Sequence, residues 1–196
     1  RAAALGDTDG VRSPQPDPHP PAVPTSRSRA GRAISSEQDN DSGLTRGLAI
    51  AIATGAGAGF APIAPGTFGS ALAIQIFVLF SPVGPGLFGV SWVALFALGV
   101  WAADRAERIY GEDDGRIVID EVLGQLLTLA PFLFWGGASW AGLVTGFVTF
   151  RLLDIWKPGP VGWAERHFEG GVGVVADDVV AGALGAVVMA ALAAAG

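Results

Sequence analysis

The longest uncharged stretch of the chain constrains its fold more than any other feature. No Lys, Arg, Asp or Glu occurs between Gly47 and Ala103. Charged residues make up only 15% of the chain, against roughly 25% in a typical soluble domain, and the mean hydropathy is +0.47. A stretch of this length, divided by Pro and Gly, can supply several apolar helices that cross a bilayer. The sequence therefore predicts a polytopic membrane protein or a very apolar helical bundle.

The apolar sequence divides into about six helices, and no alternating pattern typical of strands interrupts it. Gly/Pro loops at 55–69 and 81–86 separate the first three helices, and Pro131 divides a later uncharged stretch. The predicted fold class is all-α, a membrane helical bundle. The predicted helices are 47–54, 67–80, 87–103, two short helices within 122–150, and 179–196.

The first 43 residues differ in composition from the rest. They are rich in Pro, Ser, Asp and Arg and contain almost no apolar run, so they cannot bury enough surface to offset the entropy of ordering. We expect a disordered N-terminal tail over 1–43 and a helical membrane domain over 44–196. The net charge of -6 argues against a nucleic-acid partner, and the absence of cysteine excludes disulfides and Cys-based zinc sites.

Charge is concentrated between Phe150 and Asp178, with apolar sequence on both sides. Asp154 and Lys157 are three residues apart, which predicts that they share one helical face before Pro158 ends the helix. Glycines at 170, 171 and 173 are predicted to form a flexible entry to the next helix, whose first turns would contain Asp177. Two interpretations fit this stretch. One is a polar loop with a salt bridge and a capping Asp, and the other is a metal or phosphate site.

Charge also predicts the topology. The segments 104–120 and 151–173 contain six basic residues, whereas the links at 81–86 and 136–139 contain none. Since basic loops stay in the cytoplasm, both charged segments are predicted to lie on that side. The polar regions of the chain would then converge on one face. Carboxylates there suit Mg²⁺, and arginine or lysine there suits phosphate oxygens.

Three motifs resemble the phosphatidylglycerophosphatase A family. They are GFAPIAPGTFGS at 59–70, GRIVIDEVLGQ at 115–125 and FRLLDIWKPGPVGWAERHFEGGVGVVADDVVAG at 150–182. The resemblance runs over 47–196, in order. It implies a bacterial inner-membrane enzyme that removes the terminal phosphate of phosphatidylglycerophosphate with Mg²⁺, leaving phosphatidylglycerol. It also implies a fold with a central helix surrounded by others.

The resemblance and the residue chemistry together assign candidate site residues in three groups. The candidate metal ligands are Asp120, Glu121, Asp154, Asp177 and Asp178. The candidate catalytic residues are Asp154, Lys157, Asp178 and Arg166. The candidate substrate-binding residues are Pro65, Gly66, Thr67, Ser70, Arg151 and Lys157.

The predicted function is Mg²⁺-dependent hydrolysis of a lipid phosphomonoester, with a membrane phospholipid as the partner and the active site facing the cytoplasm. A metal-activated water and an Asp nucleophile both remain open as the attacking group. The alternatives are a phosphatase for another lipid phosphate and a non-enzymatic membrane protein that binds or transports cations. The sequence leaves the oligomeric state and the acyl-chain preference open.

Overall fold

A computed structural model describes residues 42–112 and 114–195. This part of the chain contains seven α-helices, three short 3₁₀ helices and no strand, so the all-α prediction is confirmed with one helix more than the six expected. Almost all of the predicted tail lies outside the described residues. The helices are α1 (Ser42–Ala53), α2 (Pro65–Phe80), α3 (Pro85–Tyr110), α4 (Ile119–Leu129), α5 (Trp140–Trp156), α6 (Gly159–His167) and α7 (Gly170–Ala195).

The bundle has a central helix, as the resemblance implied. It is α4, which has eight of its eleven residues buried and contacts α2, α3, α5 and α7. Helix α7 lies against α4 and also packs against α3, α5 and α6. Small residues allow the closest of these contacts, because the backbone of Gly182 in α7 lies directly against Gly124 of α4. The Thr128 hydroxyl lies 3.3 Å from the Gly182 carbonyl oxygen, to which it donates across the same interface.

Three segments are long and apolar enough to cross a membrane: Pro65–Val83, Pro85–Tyr110 and Gly170–Ala195. The first is longer than the predicted helix 67–80 because α2 starts two residues earlier and a 3₁₀ helix, Ser81–Val83, continues it. Many large apolar side chains on these segments, such as Leu79, Val90 and Val187, are exposed rather than packed inside the bundle. The protein is therefore membrane-associated.

The ends of two helices differ from the prediction. Helix α3 runs on to Tyr110 instead of ending near Ala103, because nothing in the charged residues 104–110 breaks a helix. Helix α7 begins at Gly170, where a loop was expected. Gly171 packs against the Val100 carbonyl of α3 and lies close to Asp104, so the glycines there permit helix packing and belong to the helix.

Helix α5 ends where Pro158 predicts, but the residue before the proline leaves the helix. Lys157 has a φ of 45° and a ψ of 55°, the left-handed conformation, and its N–H donates to the Leu153 carbonyl at 3.0 Å. The prediction that Asp154 and Lys157 share a helical face is therefore wrong, since only Asp154 is in the helix. The two side chains contact different partners.

Candidate active site

A cavity of about 610 Å³ opens at the end of the bundle where α3 and α5 finish and α4 and α7 begin. Lys157 is the only basic residue that lines it among the described residues. All the other charged residues that line it are acidic. They are Glu107, Glu112, Asp114, Asp120, Glu121, Asp154, Glu165, Glu169, Asp177 and Asp178.

Three of these carboxylates form a tight cluster. One oxygen each from Asp120, Glu121 and Asp178 lie within 4.8 Å of one another. Asp120 and Glu121 occupy the first turn of α4, and Asp178 reaches them from the third turn of α7. The close contact of these two helices at Gly124, which touches the Asp178 carbonyl, brings the three together.

The cluster has unmet bonding capacity. Glu121 Oε2 and Asp178 Oδ2 are buried, and no described residue donates a hydrogen bond to either. Buried like charges at this spacing repel each other unless a cation or protons compensate them. Carboxylate oxygens without nitrogen or sulfur ligands are the donor set that Mg²⁺ prefers. The residues present therefore fit a divalent cation of this type.

Glu121 also faces the start of α2. Ala64 has a φ of 51° and Pro65 opens the helix, which places Gly66 against Glu121 Oε1. A side chain on Gly66 would collide with that oxygen, so only glycine fits here. The Ser70 hydroxyl donates to the Gly66 carbonyl at 3.0 Å inside the protein. Of the predicted substrate-binding residues, Pro65, Gly66, Thr67 and Ser70 thus lie behind the cluster, and none lines the cavity.

Arg151 links two of the acidic residues from the side of α5. Its Nη1 lies 2.8 Å from Asp154 Oδ2 and 3.8 Å from Glu121 Oε1. The shorter distance is that of a hydrogen bond, yet Nη1 has no partner in hydrogen-bond geometry. We therefore treat Arg151–Asp154 as an ion pair without an aligned hydrogen bond. Arg151 is placed to hold Asp154 and Glu121 in position, and it does not line the cavity.

Lys157 is held by two carboxylates on other helices. Its Nζ donates to Asp177 Oδ2 at 2.8 Å and to Glu165 Oε1 at 2.6 Å. Partial burial disfavours the charged form, but the two hydrogen bonds and the negative charges outweigh it, so the pKa of Lys157 lies above its ordinary value. Lys157 therefore stays an ammonium, fixed in direction at the cavity wall.

The remaining predicted site residue, Arg166, lies away from the cavity. It is exposed on α6, with its guanidinium over Gly162 of the same helix, and it is not among the lining residues. Sequence reasoning also missed several acidic residues of the rim. Glu107 was missed because α3 was ended too early, and Glu165 because its contact with Lys157 depends on the turn at Pro158. The other missed rim residues are Glu112, Asp114 and Glu169.

Comparisons with known proteins agree with the motifs. The profile of the family described as Phosphatidylglycerophosphatase A matches residues 51–193. Phosphatidylglycerophosphatase A of Escherichia coli K12 is 36% identical over 129 residues, which cover 65% of this chain and 73% of that protein. The enzyme of the same name from Haemophilus influenzae Rd is 34% identical over 131 residues, 66% of this chain and 78% of its own.

A third relative has a different name. A Bacteroides thetaiotaomicron protein provisionally named phosphatidylinositol-3-phosphatase is 39% identical over 129 residues, which cover 63% of this chain and 80% of that protein. No solved structure matches the chain. The family profile spans the carboxylate cluster, Lys157 and all of α2 to α6. On this match, which covers most of the sequence, the chain belongs to the phosphatidylglycerophosphatase A family.

Proposed function

We propose that the protein hydrolyses the terminal phosphate of phosphatidylglycerophosphate to give phosphatidylglycerol and inorganic phosphate. The observation that carries this proposal is the cluster of Asp120, Glu121 and Asp178 at the wall of a cavity that also presents Lys157. An acidic metal site beside a fixed ammonium is suited to a phosphomonoester, whose charge both groups neutralise. Membership of the family and the names of two relatives support the same activity.

The proposed cofactor is Mg²⁺, held by Asp120, Glu121 and Asp178. Bound there, the ion would polarise the phosphoryl group and lower the pKa of a coordinated water. Asp154 and Asp177 were predicted as further ligands, but each has a basic partner, Arg151 and Lys157 respectively. We propose that Asp154 keeps the ligand cluster in place through Arg151, and that Asp177 orients the lysine.

Lys157 is the residue we propose for contact with the phosphate. It is the one basic group lining the cavity in the described chain, and its conformation at the end of α5 fixes its direction. Glu165, which is half exposed, is the partner that a substrate phosphate would displace, because Asp177 is the more buried of the two carboxylates. Hydrolysis requires a new P–O bond and departure of the glycerol oxygen with a proton. A water and a carboxylate both remain candidates for the attack.

We further propose a multi-pass protein of the bacterial inner membrane with its cavity facing the cytoplasm. The ends of α3 and α5 at the cavity carry the basic residues Arg105, Arg108, Arg151 and Lys157, whereas the opposite links carry none. The positive-inside tendency favours this orientation. The acyl chains of the substrate would remain in the bilayer beside the exposed apolar helices while the headgroup enters the cavity.

The experiment that tests the proposal is phosphate release from phosphatidylglycerophosphate by the purified full chain in detergent. We expect turnover with Mg²⁺, loss of turnover with a chelator, and recovery when Mg²⁺ is added back. If a folded preparation that binds Mg²⁺ releases phosphate neither from this lipid nor from other lipid phosphates, the cation-binding or transport alternative is left. That outcome would reject the enzyme function.

A second candidate substrate is another lipid phosphate. The Bacteroides relative, named for a 3-phosphatase of phosphatidylinositol, is as similar to this chain as the two enzymes named for phosphatidylglycerophosphate. The two substrates share the phosphomonoester and differ in the headgroup. Side-by-side measurement of kcat/KM for phosphatidylglycerophosphate and phosphatidylinositol 3-phosphate decides between them, because the larger value identifies the preferred headgroup.

A further inference from the structure

A second cavity, of about 450 Å³, lies between the start of α1 and the end of α3. Its charged lining consists only of arginine: Arg46 comes from α1, and Arg105 and Arg108 come from α3. We call it the arginine cleft. Its lining residues are Ser42, Thr45, Arg46, Arg105, Arg108 and Ile109.

The arginine cleft and the acidic cavity use different faces of the same helix. Arg105 and Arg108 are three residues apart and share one face of α3, whereas Glu107 between them lines the acidic cavity. Acidic and basic side chains at this end of the protein therefore line two separate surfaces. An anionic group close to this end of the protein is repelled by the acidic cavity while its metal is absent and attracted by the cleft.

The guanidinium groups are positioned for an anion. Arg105 stacks over the Trp101 ring, 4.4 Å from its centre, and its Nη1 donates to the Trp101 carbonyl at 3.5 Å, so its freedom is limited. Arg108 pairs with the exposed Asp104 at 2.7 Å, and Arg46 adds a third positive charge from α1. Planar guanidinium groups bind phosphate oxygens in pairs, which lysine cannot do.

The surroundings of the cleft are those of a membrane surface. Helix α3 is one of the three candidate membrane spans, and the arginines occupy its last turns. On α1, Leu44 and Leu48 are one turn apart and expose 67% and 56% of their surface. Trp101 is a residue type that concentrates at the interface between lipid and water. Exposed leucines beside arginines fit a lipid, whose acyl chains and phosphate meet at this level.

We propose that the arginine cleft binds the phosphate of an anionic phospholipid of the surrounding membrane, at a site separate from the acidic cavity. The proposal does not depend on the catalytic function, because the cleft shares no lining residue with that cavity. Each basic residue near an anionic headgroup contributes a gain in affinity of about fivefold.

The test is binding of phosphatidylglycerol and phosphatidylcholine to the detergent-solubilised full chain, measured by native mass spectrometry in a chelator. We expect phosphatidylglycerol to bind more tightly, Arg105→Gln to weaken it about fivefold, and the cleft triple variant Arg46→Gln/Arg105→Gln/Arg108→Gln to weaken it more than tenfold. Arg116→Gln is the matched control, because Arg116 stacks over Tyr110 at 4.0 Å and pairs with Asp114 outside the cleft. It should bind as the unchanged protein does.

Three results would overturn the proposal. Unchanged phosphatidylglycerol binding by the cleft variants would exclude the arginines, and an equal loss in Arg116→Gln would show a general effect of net charge. Displacement of the lipid by inorganic phosphate at a similar concentration would identify a site for free phosphate. Circular dichroism checks folding, and Arg46→Gln, on a different helix from the other two arginines, provides an independent single variant.

Discussion

At the scale of single residues, the site depends on which charges are paired. Lys157 and Arg151 each lie within ion-pair distance of two carboxylates, and Glu121 is one of them, whereas Asp120 and Asp178 have no basic partner among the described residues. The sequence identified all five of these positions, because the motifs contain them. It did not identify the pairing, since Lys157 takes a left-handed conformation that directs it to Asp177 instead of along α5.

Asp178→Asn tests whether this carboxylate holds the metal ion, independently of any measurement of activity. Without metal, the substitution removes one of three clustered charges, so we expect an unchanged or higher Tm in a chelator. With Mg²⁺ at about 100 times its Kd, the unchanged protein should gain about 5–10 °C in Tm, and the variant should gain almost nothing. Turnover should fall on the order of 10²–10³-fold or more. Thermal unfolding over a Mg²⁺ titration measures the first effect, and an equal Tm gain in the variant would remove Asp178 from the ligands.

Lys157→Ala tests the proposed contact with phosphate. Loss of a positioned charge on the transferred group should lower kcat/KM on the order of 10²–10³-fold, with Mg²⁺ binding retained. A change confined to KM would mean that Lys157 binds ground and transition states equally, whereas a change in kcat would mean that it acts on the transition state.

The control for Lys157 is Glu165→Gln. It removes the more exposed partner of Lys157 and leaves the hydrogen bond to Asp177. We expect its kcat/KM to stay within a few-fold of the unchanged protein, because Asp177 alone can orient the lysine. Steady-state kinetics on both variants tests this expectation. Equal losses of kcat/KM would show that the Lys157–Glu165 pair, and not the lysine alone, is required.

At the scale of helices, prolines and glycines allowed several helix starts and ends to be predicted from the sequence. The contacts between helices could not be predicted in this way. Helices α2 and α3 begin at Pro65 and Pro85, each two residues before the predicted start. Pro158 lies just after the end of α5, as predicted. The predicted start of α7 was wrong, because Gly171 was assigned to a loop. Gly171 lies in close contact with α3, and no local sequence pattern distinguishes a packing glycine from a loop glycine. The contact of α4 with α7, which assembles the cluster, likewise depends on glycines that are distant in sequence.

Gly182→Ala tests whether that contact positions the site. A methyl group there would meet the Gly124 carbonyl and lie 2.8 Å from the Gly124 Cα, so the helices must move apart. Overpacking of this kind costs about 1–3 kcal/mol of unfolding free energy, and the shift would separate Asp178 from Asp120 and Glu121. We expect weaker Mg²⁺ binding and lower turnover in the folded variant.

Gly89→Ala is the control for the helix contact. No atom lies within 4 Å of the position its methyl group would take on α3. Alanine is also the better helix former, by about 1 kcal/mol, so this variant should keep the turnover of the unchanged protein and have an equal or slightly higher Tm. If Gly182→Ala behaves like Gly89→Ala in Mg²⁺ titrations, close packing at Gly182 does not set the geometry of the cluster.

At the scale of the whole molecule, function depends on which chemistry lies at which end of the bundle. The acidic cavity and the arginine cleft both lie at the end of α3, and the link 81–84 lies at the opposite end of α2 and α3. Composition alone predicted a membrane bundle with its charges on one side. It could not predict the division between an acidic and a basic surface, because that division depends on how α1 packs beside α3.

The orientation of the bundle in the membrane can be measured directly because the chain contains no cysteine. Single cysteines at Gly159, near the cavity, and at Gly86, at the opposite end, occupy exposed positions with no atom within 4 Å of the new side chain. Since basic residues flank the cavity end, we expect it to face the cytoplasm. A membrane-impermeant maleimide should label Gly86→Cys in intact spheroplasts and Gly159→Cys only after lysis, with phosphate release confirming that both variants are folded. The reverse pattern would place the cavity outside the cell, and equal labelling of both in intact spheroplasts would contradict a membrane between the two ends.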